Sequence, residues 1–80
     1  LGMPTLLLLR GFRFFFYMNE HLPIHVHVTK AEREPRVVLV PEIEVTFCRG
    51  FKKNEMREII EIIIEHYEQF IEKWNNTFGE

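Results

Sequence analysis

The chain has 80 residues, 46% hydrophobic and 28% charged, with a formal net charge of −2. This length supports one domain with a thin core that buries about 60–65% of the unfolded surface, and the composition, free of low-complexity tracts, excludes a disordered chain. The single cysteine, Cys48, excludes an internal disulfide framework and fits a reducing compartment.

The apolar run Leu6–Leu9 is closed by Arg10, far short of a membrane span or a signal-peptide core. The expectation is a soluble cytoplasmic domain over residues 3–80, with Leu1-Gly2 a cloning remnant ahead of Met3. Residues 1–53 carry eight Lys/Arg against five Asp/Glu, and residues 54–80 carry two against seven. An excess of three positive charges over 53 residues is a weak footprint for nucleic acid. The acidic tail reads more simply as a solvated helix face.

Up to about Cys48 the periodicity is that of strands. Thr5–Arg10 and Phe12–Met18 read as paired strands joined at Arg10-Gly11. Ile24–Thr29 alternates, placing Ile24, Val26 and Val28 on one face and His25, His27 and Thr29 on the other. Arg36–Val40 is a short β-branched strand bounded by Pro35 and Pro41, which cannot supply a ladder donor. In Ile43–Phe47, Ile43, Val45 and Phe47 stand opposite Glu42, Glu44 and Thr46.

From about Asn54 the period becomes helical. At 100° per residue Met56, Ile60, Ile63, Tyr67, Phe70, Ile71, Trp74 and Phe78 share a stripe about 100° wide, opposite Glu58, Glu61, Glu65, Glu68 and Glu72. The spacing predicts one long helix of about 36 Å with Asn54 as its N-cap. Ile62 falls outside the stripe and is a candidate surface contact. The predicted fold is α+β, a small, mostly antiparallel sheet of four or five strands with one C-terminal helix on one face.

A lone helix leaves a sheet face uncovered. Strand two is apolar on both sides, with Phe12, Phe14, Phe16 and Met18 against Phe15 and Tyr17, and such strands are normally buried on both. The expectation is a second molecule over that face, either a further copy of the chain or a small protein partner.

The chemistry concentrates in "NEHLPIHVHV", residues 19–28. His25 and His27 are two apart on a strand, so both project from one face. An H-x-H pair supplies two ligands to one ion, or an acid and a base to one substrate. A third member would be His21 or Glu20 from the preceding loop. The candidates for catalysis are therefore His25, His27, Glu20 and His21, and those for metal are His25 and His27. Imidazoles hydrogen-bonded on a polar sheet face need no ligand, so three readings stay open: structural, acid–base and metal-binding.

Histidine-triad nucleotide chemistry fails, because the third alternating position is Thr29. Arg10 and Arg13, with Phe15 and Tyr17, are the candidate binding residues; arginines converging on the histidines could hold a phosphate or carboxylate. There is no glycine-rich phosphate loop, G-x-S-x-G or CxxC pair, and no organic cofactor is expected.

Met3-Pro4, the aromatic strand Arg13–Tyr17, Glu20-His21-x-Pro23-x-His25-Val26-His27-Val28 and Gly50-Phe51 before the helix together resemble the small prokaryotic proteins called domain of unknown function 4160. The resemblance runs from Met3 to about Trp74. Many relatives carry a second proline where Ile24 stands and a serine where Lys52 stands; neither departure touches Glu20, His21, His25 or His27. The family has no established activity. The resemblance implies one partner of a toxin–antitoxin-like pair, because family genes often neighbour a second small gene. The residues leave two alternatives beside it, a His-dependent enzyme acting on RNA or a phosphorylated small molecule, and a metal-binding domain.

Overall fold

The computed structural model describes residues 5–17, 19–31, 35–47 and 50–79. Five strands, β1 (Thr5–Leu9), β2 (Phe12–Phe15), β3 (His25–Thr29), β4 (Arg36–Val38) and β5 (Glu44–Phe47), precede two helices, α1 (Lys53–Glu65) and α2 (Tyr67–Phe78). The strands form one antiparallel sheet in chain order, so each pairs with its sequence neighbour. The fold is α+β, as the alternation predicts. Arg10 (φ 57°) and Gly11 (φ 85°) both take the left-handed conformation that a two-residue hairpin turn requires.

The helices pack on one face. Phe12, Phe14 and Phe16 of the β2 segment join Val26, Val28, Val37 and Leu39 in a cluster with Ile59, Ile62, Ile63, Phe70 and Trp74. Each phenylalanine has its own aromatic neighbour: Phe12 meets Phe51 edge-on at 6.1 Å, Phe14 stacks on Phe70 at 5.6 Å, and Phe16 meets Trp74 edge-on at 5.2 Å. The Tyr67 hydroxyl donates to the Leu39 carbonyl at 2.7 Å and ties the start of α2 to the end of β4.

The helical tail differs from the predicted single rod. It divides at His66, whose backbone (φ −113°, ψ 21°) leaves the helix. There the backbone N–H of His66 donates to the Ile62 carbonyl at 3.0 Å, and its Nδ1 lies 3.0 Å from the same oxygen. A side chain that competes for the carbonyl four residues back is a recognised cause of helix bending.

The break corrects the phase of the apolar stripe. Ile62 is fully buried in the protein's own core beside Ile59 and Ile63, whereas Ile64 is 59% exposed. Asn54 is not the cap. The helix begins at Lys53, and the Glu55 carboxylate accepts the Lys52 N–H at 3.0 Å. No helix among the described residues is long and apolar enough to cross a membrane.

The second sheet face also departs from expectation. Phe15 is only 2% exposed, although it lies outside the helix-facing cluster. The Arg13 guanidinium sits 4.5 Å over its ring, His27 stacks on it at 5.5 Å, and Tyr17 meets it edge-on at 5.1 Å. Phe14, Phe15 and Phe16 are thus all buried within the chain, and apolarity on both sides of strand two does not by itself demand a partner. Tyr17, at 38%, and Leu8, at 70%, stay exposed.

Candidate functional site

Strand pairing builds the site's floor. Register aligns Phe15 with His27 and His27 with Arg36, and places His25 opposite Val38. Alternation sends Val26 and Val28 into the helix-facing core and leaves His25 and His27 on the other phase of the strand. After β2 the chain reverses through residues 19–24 and carries Glu20 back over β3. The Glu20 Oε1 lies 2.7 Å from the His25 Nε2, and its Oε2 lies 2.8 Å from the His27 Nε2. One carboxylate therefore bridges two imidazoles, and the Tyr17 N–H donates to the same Oε2 at 2.9 Å.

The surroundings are closed and aromatic. Side-chain exposure is 10% for Glu20, 4% for His25 and 12% for His27. Trp74 of α2 lies 5.2 Å from the His25 ring, Tyr17 lies 4.5 Å edge-on from His27, and the two imidazoles are 5.1 Å apart. Among the described residues no buried side-chain nitrogen or oxygen lacks a hydrogen-bond partner, so the network is satisfied throughout.

His25 stands between two acceptors. Its Nδ1 is 2.7 Å from the Pro23 carbonyl oxygen, which has no proton to give, so Nδ1 must carry the hydrogen. In a neutral ring the opposite nitrogen is then a bare lone pair, aimed at the Glu20 oxygen only 2.7 Å away. Two lone pairs at that distance repel. The contact holds together only with a positive centre between them, either a proton or a metal ion.

Burial pushes the Glu20 carboxyl up, but the Tyr17 N–H and the adjacent His25 and His27 rings outweigh it. The net effect holds Glu20 below its usual value.

Of the sequence candidates, Glu20, His25 and His27 converge, and Glu20 rather than His21 supplies the third group. His21 is exposed. With Glu20, Leu22, Trp74, Asn75 and Phe78 it lines a groove of about 800 Å³ beside the site. Arg13, Phe15 and Tyr17 flank His27 on the sheet. Arg10 is directed elsewhere: its guanidinium lies 3.6 Å from Glu58 of α1. Cys48 lies outside the described residues.

Trp74 and the Pro23 carbonyl are functional neighbours that the sequence does not announce. Trp74 reads only as a core position of the helical stripe, and a backbone carbonyl leaves no signature at all.

Neither curated proteins nor solved structures give any match to the chain. The family model described as Domain of unknown function (DUF4160) matches residues 11–75, from the hairpin turn to the turn of α2 that carries Trp74. By that match over most of its length, the chain belongs to the DUF4160 family.

Proposed function

We propose that the chain is a small protein-interaction module, one partner of a toxin–antitoxin-like pair, which docks through the sheet face opposite its helices. The carrying observation is the make-up of that face. Among the described residues both helices pack on the other side, and this one presents Leu8 at 70% exposure and Tyr17 at 38%, with Arg13, His27 and Arg36 partly exposed around them. Exposed tyrosine and arginine are among the residue types that carry most binding energy at protein interfaces. The pairing itself is suggested by the family and by its gene neighbourhoods.

Light scattering tests this reading on the purified chain, alone and mixed with the product of the adjacent small gene. Expected is a complex larger than one protomer, with affinity lowered at least tenfold by Leu8→Asp while the melting temperature stays close to that of the parent. A protomer that remains single in both samples at high concentration would contradict it.

The closed Glu20–His25–His27 network supports a second reading, a His-dependent enzyme acting on RNA or a phosphorylated small molecule. His27 would transfer the proton, Glu20 would orient it, and Arg13 would steady the phosphate. Its motive is the groove of about 800 Å³ that opens beside Glu20. A nuclease or phosphatase activity that His27→Ala abolishes would favour it over the docking reading.

A further inference from the structure

We infer that Glu20, His25 and His27 form a binding site for a divalent transition-metal ion of the zinc, cobalt or nickel type, held by the Glu20 carboxylate and the Nε2 atoms of the two histidines. One donor atom from each residue falls within 4.8 Å of the others. Two imidazoles and a carboxylate are a borderline-soft set that favours these ions over magnesium or calcium, and it is a ligand combination that zinc uses where a coordination position is left open.

The independent observation is the Pro23 carbonyl, 2.7 Å from the His25 Nδ1. A carbonyl on the far ring nitrogen fixes the tautomer with Nε2 bare, and this is how ligating histidines are commonly held. That nitrogen faces an oxygen of Glu20 at 2.7 Å, so a metal ion bound there would take the place of the proton the two groups otherwise share. The rings of Phe15, Tyr17 and Trp74 beside the histidines lower the local dielectric, which would strengthen an ion's attraction to its ligands.

The geometry states what must change on binding. Zinc–nitrogen and zinc–oxygen bonds of about 2.0–2.2 Å put the ligand atoms of a tetrahedron roughly 3.3 Å apart. The contacts of 2.7 and 2.8 Å must therefore widen by about half an ångström, and donor atoms now up to 4.8 Å apart must close toward that spacing. Glu20 sits on a loop and can shift, and rotation of the imidazole rings about their side-chain bonds supplies the rest while β3 holds the histidine backbone. Of the three ligands, Glu20 alone lines the neighbouring groove, so a fourth ligand from solvent would have to enter on its side.

The test uses the full, untagged chain, stripped with a chelator and titrated with zinc or cobalt(II). Expected are a rise in melting temperature of roughly 10 °C or more at a hundredfold excess over Kd, and visible cobalt absorption typical of a four-coordinate site. Glu20→Gln and His27→Gln should each weaken binding at least tenfold. No stabilisation and no cobalt band in the wild type would overturn the inference, as would an undiminished response in either variant.

If a variant does not fold, ring-nitrogen NMR of the wild type decides. Zinc should shift the Nε2 signals of His25 and His27 and leave those of His21 and His66 in place; the reverse pattern sends the ion elsewhere and sinks the assignment.

Discussion

Replacing Glu20 by alanine is expected to cost about 3 kcal/mol or more of folding stability, out of a total that for a domain of this size is on the order of 5–15 kcal/mol. The carboxylate accepts from the Tyr17 N–H and faces both imidazoles, with its side chain only 10% exposed. Its removal strands the nearly buried His25 ring, which loses the acceptor on its Nε2, and such a loss exceeds the modest net value of the bond itself.

The effect should depend on pH in a defined sense. Glu20 is held below its usual value of 4.5 in the folded protein. Its contribution is thus fully present above that value and fades as the pH falls through the lower, folded one. Urea unfolding of wild type and Glu20→Ala should accordingly show a wide gap in midpoint near neutrality that closes in acid. A gap below about 1 kcal/mol, or one that persists unchanged into strong acid, would mean that the carboxylate does not organise the site.

Trp74→Ala should be comparably severe, at about 3–5 kcal/mol. The indole is 4% exposed and lies 5.2 Å from Phe16, 4.6 Å from Phe78 and 5.2 Å from His25. It therefore closes the core and walls the site at once. Truncation opens a cavity between α2 and the sheet that a short chain has little means to refill. Trp74→Phe, which keeps an aromatic ring against Phe16, should recover most of the loss. Urea denaturation measures both, and a cost below about 1 kcal/mol for the alanine variant would show that α2 does not seal this end of the sheet.

Much of the sheet is legible in the sequence, because its cause is local. The left-handed turn at Arg10-Gly11, the alternation in residues 24–29 and the prolines that bound the fourth strand each leave a residue-level trace. Observed strands are shorter than predicted; β2 ends at Phe15 and β4 at Val38, since ladder pairing stops before the apolar run does.

The helix break is not legible in the same way. Ile62, Ile63 and Ile64 are consecutive, and a stripe phased on one straight rod puts the wrong isoleucine outside. The deviation arises from how the His66 side chain and backbone share one carbonyl, which no hydrophobic period encodes.

The burial of Phe15 is equally hidden, because its cover is the Arg13 guanidinium and the His27 ring brought in by strand register, and both are polar residues to a pattern count. At the site, the H-x-H pair is visible and its third member is only narrowed. Glu20 and His21 are adjacent, and the path of the loop around Pro23 decides which reaches the histidines.

Nitrogen-15 NMR of the histidine rings in the metal-free protein tests most directly whether His25 is gripped between the Pro23 carbonyl and the Glu20 carboxylate. A hydrogen is expected on the His25 Nδ1, with its signal slowed in exchange by the Pro23 bond. A His25 ring whose Nδ1 is bare, with its one hydrogen on Nε2, would contradict it. The carboxylate contact would then be an ordinary hydrogen bond, with no place left for a cation.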